Sequence, residues 1–179
     1  SGTSQWDSIY GRSQNDDISC VIETQDGGFI ASGSTNSTDG DISGSKGGYD
    51  CWIVKFNQSG KIIWQKTLGG GGDDYANSIN YVNDGGYIIA GETSSNNGDV
   101  DYCQGLSDSW IVKISSNGAI EWKKSFGGSD YDFAQSVIQT EDRGFAFIST
   151  TYSSNGDVAG QKGASDYWLV KLGTEKYTL

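Results

Sequence analysis

The residues best equipped for chemistry in this chain are aspartates that return at fixed places in three successive stretches. Asp41, Asp99 and Asp157 each follow a glycine (Gly40, Gly98, Gly156), with Asp39, Asn97 or Asn155 two places before and Asp50, Asp108 or Asp166 nine places after. Such a cluster of hard oxygen donors could surround Ca²⁺, although it lacks the bidentate glutamate of an EF-hand loop. The plainer reading is that these side chains brace a turn by accepting from backbone amides. Asp16, Asp74 and Asp132 lie just after a Gly-containing turn, and bracing is the expected role there too. Lys55, Lys113 and Lys171 follow W-[IL]-V, where a lysine is expected to snorkel or to pair with an acid.

Catalysis finds little support. The chain has no histidine, so the commonest general base is absent. It contains no G-x-S-x-G, H-E-x-x-H or P-loop string. Asp16-Asp17 and Asp73-Asp74 are adjacent pairs, whose side chains point apart on an extended strand. A glycosidase needs two carboxyls about 5–10 Å apart across a cleft, which spacing alone does not establish. The chain is read as a non-enzyme.

What must position these residues is a repeat of 58. Trp52, Trp110 and Trp168 keep that step, as do Trp6, Trp64 and Trp122. The glycines at 11, 69 and 127, the threonines at 35, 93 and 151 and the serines at 37, 95 and 153 keep it as well. A fixed period of this size implies stacked or ring-arranged units, none able to bury its apolar face alone. The 179 residues divide into copies 1–58, 59–116 and 117–174 with a tail 175–179, and together they form one repeat domain.

The middle copy shows how a unit is built. Strands are expected over 59–68, 75–82, 87–94 and 109–114, with Ala76, Ser78 and Asn80 sharing one face of the second. Residues 69–74 and 83–86 read as turns, the latter a hairpin of the Asp-Gly type, and 95–108 as a long polar loop. No segment has helical periodicity. Four short antiparallel strands per unit at this period predict an all-β chain of β-propeller blades. A β-solenoid coil is much shorter, and a sandwich domain needs about 100 residues.

Composition narrows the partners. A net charge of −11 argues against nucleic acid, which requires a basic footprint, and against anionic lipid. No apolar run approaches the ~20 residues of a membrane-spanning helix. No leader is recognisable, so the chain reads as a mature or excised piece. With 27 glycines and no proline, the glycines recur at fixed offsets and read as turns. Cys20, Cys51 and Cys103 fall at three different places in the repeat, and the absence of histidine and of a close Cys pair disfavours zinc; Cys51 and Cys103 could bridge adjacent units, while Cys20 is expected to be a buried small hydrophobe. The six tryptophans are expected in the core between units.

The string D-x-W-[IL]-V-K, followed in two copies by x-G-x-I-x-W-x-K-[ST]-[LF]-G-G and then D and D-x-G-[FY], resembles the SBBP-type β-propeller repeats of secreted and cell-surface bacterial proteins. The likeness runs through all three copies. It implies a propeller scaffold in an extracellular or cell-surface setting, and carries no common activity or site residue. Propellers typically have four to eight blades, whereas this chain has three copies.

The ends of the repeat suggest how it is completed. Residues 3–10 match the strands around Trp64 and Trp122, and are expected to form a fourth strand without a blade of their own. The last copy ends TEKYTL, one residue short of the place that Trp64 and Trp122 hold in its counterparts, so its outer strand is expected to be curtailed. The N-terminal strand would then complete the third blade of another chain. The outcomes are a six-bladed ring of two chains, an open filament, an unusually tight three-bladed ring, or part of a longer array. The leading functional reading is a non-catalytic, self-assembling homo-oligomeric scaffold. The alternative is a lectin-like propeller that binds carbohydrate or a cell-surface protein through loops 36–50, 94–108 and 152–166, where Tyr49, Tyr102 and Tyr152 could stack on sugars. No cofactor is expected beyond calcium at Asp41, Asp99 and Asp157.

Overall fold

The computed structural model describes residues 2–174, which form eleven strands and no helix. The first sheet comprises β1 (Asp16–Glu23), β2 (Phe29–Thr35), β3 (Asp50–Phe56) and β4 (Ile62–Leu68). The second comprises β5 (Asp74–Tyr81), β6 (Tyr87–Thr93), β7 (Asp108–Ile114) and β8 (Ile120–Phe126). The third comprises β9 (Asp132–Gln139), β10 (Phe145–Thr151) and β11 (Asp166–Leu172). Each is an antiparallel meander in which neighbours in sequence are neighbours in the sheet. The expected outer strand of the last copy falls mostly on 175–179, outside the described residues.

Local sequence explains each turn. In the β1–β2 hairpin, Gly27 N–H donates to Thr24 O and Thr24 N–H donates to Gly28 O, both at 2.8 Å. Asp26 accepts from the Thr24 hydroxyl and from Gly28 N–H, closing the turn with its side chain. The same pattern recurs at Val82–Gly86 and Thr140–Gly144. At the left-handed position Gly27 and Gly85 have φ of 74° and 90°; the third hairpin places Arg143 there at 64°.

The sheets lie face to face in an open row. The front face of the first, with Ile30, Cys51 and Ile53, packs on the back of the second, with Ala76, Ile79, Ile89, Trp110 and Val112. The front of the second, with Ile88, Ala90 and Ile111, packs on the back of the third, with Ala134, Val137 and Phe147. Every junction therefore uses the same repeat positions.

Several expectations need correcting. Residues 3–10 form no strand; Trp6 and Tyr10 instead lie on the first sheet against Phe29 and Phe56. Ala76, Ser78 and Asn80 do not share a face, because the β5–β6 register shifts between Ala76 and Ser78. That bulge turns Ala76 and Ile79 toward the first sheet, while Asn77 and Asn80 donate to Ala134 O and Val137 O of the third. Cys51 and Cys103 are buried free thiols rather than a disulfide, and Cys20 is half-buried. Trp52 and Trp110 are core residues, whereas Trp6 is 43% exposed and Trp168 is only half-buried.

Candidate functional site

The recurrent aspartates meet where one sheet crosses to the next. Asp74 begins β5; its Oδ2 accepts from Gly70 N–H and the Ser95 hydroxyl, each at 2.8 Å, and its Oδ1 from the Thr93 hydroxyl. Asp132 Oδ2 repeats the first two contacts, with Gly128 N–H at 2.9 Å and the Ser153 hydroxyl at 2.7 Å, while its Oδ1 has no hydrogen-bond partner among the described residues. Asp16 repeats all three, with Arg12 N–H, Ser37 and Thr35. The expected bracing role is what these contacts perform. The Thr and Ser partners sit about twenty residues away in sequence, and only their shared 58-residue step marked them.

A second carboxylate faces each Gly turn from the preceding sheet. Asp50 Oδ2 accepts from Lys46 N–H and the Ser45 hydroxyl, and Asp108 Oδ2 from Gln104 N–H. A methyl group built on Gly69 would lie 2.5 Å from both Asp50 Oδ1 and Asp74 Oδ2, so the glycine lets two buried carboxylates close on one turn. Gly127 sits likewise between Asp108 and Asp132. Burial, then the negative charges of Asp132 and Asp157, push Asp108 up to about 6 against the Gln104 N–H that favours its charged form. Burial also raises Asp74, opposed by its Thr93, Gly70 and Ser95 bonds.

Asp41, Asp99 and Asp157 are distributed one per turn. Asp99 Oδ2 accepts from Gly69 N–H at 3.1 Å and from Lys46 Nζ at 2.5 Å, tying the first sheet to the second. Asp157 Oδ2 accepts from Gly127 N–H at 3.2 Å and from Gln104 Nε2 at 3.0 Å, tying the second to the third. Asp41 has no such cross-sheet partner among the described residues, and in the same set no group of three or more His, Cys, Asp or Glu is arranged to hold a metal ion. The lysine set pairs at the opposite end of the sheets: Lys55 with Asp26 at 2.8 Å, Lys113 with Asp84 at 2.6 Å and with Glu121, and Lys171 with Asp142 at 2.8 Å. Beside Lys113 a cleft of about 920 Å³ opens, lined by Asp84, Glu121, Trp122, Gln139, Arg143 and Phe145 among others.

The loop tyrosines occupy three different settings. Tyr49 stacks on Tyr75, with ring centroids 5.3 Å apart. Tyr152 meets Phe133 edge-on at 6.2 Å, and Tyr102 is exposed, as is Leu106 of the same loop. They do not form one repeated aromatic platform.

Exposed apolar side chains also lie at the two ends of the row. The third sheet's front face presents Ile138, Ile148, Tyr167 and Leu169 to solvent, and the first sheet's back face presents Ile18 and Val21. Edge strand β11 has a neighbour on one side only among the described residues. Residue identity alone did not mark these faces as open, because Leu169 and Val21 are apolar like their buried counterparts Ile111 and Ile79. Comparison with protein-family models and with curated proteins finds no match for this chain.

Proposed function

We propose that this chain is a non-catalytic scaffold of β-propeller blades that assembles with copies of itself, residues 3–10 of one copy supplying the fourth strand beside β11 of another. The observation that carries the reading is the seat of Trp6. Its ring meets Phe29 edge-on at 6.0 Å and 63°, as Trp122 of the second sheet meets Phe145 of the third at 5.4 Å and 61°. Trp6 also covers Gly60 as Trp64 covers Gly118. The segment thus holds the position of an outer strand from a preceding sheet, while its own backbone has no strand partner among the described residues. A backbone of this kind, together with a β11 edge that has no second neighbour among the described residues, is the condition that favours strand addition.

The in-chain pairing sets the register. β3 pairs Ile53 with Lys66 and β7 pairs Ile111 with Lys124, so β11 pairs Leu169 with Ser8 of the other copy. Two copies give a closed ring of six sheets, and an uninterrupted series gives a filament. The extracellular or cell-surface setting rests on the repeat resemblance.

The test is a double variant, Ser8→Cys with Leu169→Cys, oxidised at micromolar concentration. Both side chains are exposed, so folding is little perturbed. A covalent dimer or ladder on non-reducing gels, absent from each single variant, is the expected result. Monomer alone, with circular dichroism unchanged, overturns the proposal.

A further inference from the structure

We infer that the free front face of the third sheet receives the free back face of the first sheet of a second copy, with Lys162 paired to Asp41 of that copy. The inference rests on the self-assembling reading above, and specifies the face and the charge pair that would hold such an assembly.

The chain itself contains two examples of the contact. At the first junction Ile53 faces Ile79; at the second Ile111 faces Val137; all four are at most 1% exposed. The next residues in both series are Leu169 on the front of the third sheet and Val21 on the back of the first, which are 71% and 60% exposed. Ala76 and Ala134 are buried in the junctions, and their counterpart Ile18 is exposed. The uncovered surfaces are therefore the two halves of a junction already built twice. Apolar surface of this extent is unusual to leave open on a β-sheet face.

The polar contacts point the same way. Lys46 bonds Asp99 across the first junction and Gln104 bonds Asp157 across the second. The remaining members of those two series are Lys162 and Asp41, opposite in charge and lacking a side-chain partner among the described residues. Backbone groups match too: Asp74 N–H donates to Tyr49 O at 2.7 Å and Asp132 N–H to Ser107 O at 2.8 Å. The third pair of the series is Asp16 N–H and Ser165 O, at opposite ends of the row. A contact between unlike patches is heterologous, so each copy offers one half at each end. The occupant that fits is a second copy of this chain, whose first sheet carries the matching apolar positions Ile18 and Val21 and the acid at 41.

The experiment is charge reversal and rescue, read by light scattering and sedimentation across a concentration series. Lys162→Asp or Asp41→Lys alone is expected to weaken association at least about tenfold, because like charges then face each other. The combined variant, with both reversed, is expected to return to within about threefold of the wild type. Leu169→Lys is expected to give monomer with an unchanged circular dichroism spectrum, since the residue is solvent-exposed in the single chain. If the single reversals and Leu169→Lys leave the mass unchanged while the Ser8→Cys, Leu169→Cys double variant still forms its intermolecular disulfide, the face contact is overturned and strand exchange stands. Should the wild type be monomeric throughout, both fall.

Discussion

Lys46 of the first sheet and Asp99 of the second are joined at 2.5 Å between Nζ and Oδ2, and the same Asp99 oxygen accepts from Gly69 N–H at 3.1 Å. One carboxylate thus holds a lysine of the sheet before it and the turn that leads into its own. One repeat later Gln104 and Asp157 reproduce the geometry without the positive charge. The contact is half-exposed, so its value lies in orienting neighbouring sheets more than in net stability.

Trp6→Ala is expected to lower stability to urea by about 1–2 kcal/mol, less than for a fully buried Trp because part of the ring is in water. The change should fall on the first sheet, visible as faster amide exchange at Phe29 and Phe56. Unchanged exchange there would mean that the N-terminal segment does not cover that sheet in solution.

Stability should pass through a maximum at mildly acidic pH. The buried Asp108 and Asp74 bind protons more tightly folded than unfolded, so their contribution grows as pH falls from neutral and is complete below the unfolded value near 4. Asp26 and Asp142 are held low by their lysines and by turn hydrogen bonds, and Asp84 is held low by the same contacts against its own burial. These three act oppositely and lose their contribution at lower pH still. Asp108→Asn should remove most of the rise between pH 7 and 4, about 1–2 kcal/mol for a group raised to about 6 once solvent screening of its neighbours' charges is allowed for. Denaturant midpoints at a series of pH values check this.

Gly91→Ala should be severely destabilising, by about 3 kcal/mol or more. A Cβ there would lie 1.8 Å from Tyr75 O, a backbone atom fixed in the β5 bulge. Gly33 has the same relationship to Asp17 O, at 1.9 Å. In the third sheet Ser149 takes this position, so Gly91→Ser is an informative companion. A loss of under about 1 kcal/mol for the alanine variant would show that the bulge can relax.

Arg143→Gly should stabilise the fold by about 0.5–1 kcal/mol, since a side chain at φ 64° is strained where the other hairpins use glycine. Thermal melting checks the sign. A decrease would indicate that the Arg143 side chain contributes favourable contacts beside the cleft.

The sequence by itself determined the unit: its period, its four strand segments, its Asp-closed hairpins and the bracing aspartates at 16, 74 and 132. These depend on local rules, turn chemistry and alternation, repeated identically in each copy. Pattern alone placed Ala76 and Asn80 on one face, because a bulge is a property of two paired strands and not of one. It also offered Cys51 and Cys103 as partners, although in the fold both are buried free thiols. The pairing of Asp99 with Lys46, the open face carrying Tyr167 and Leu169, and the seat of Trp6 on Phe29 were decided only in tertiary structure. Each depends on how one copy lies against the next. The identities that made the repeat visible are the ones that do not vary, whereas junction partners such as Lys46, Gln104 and Lys162 do.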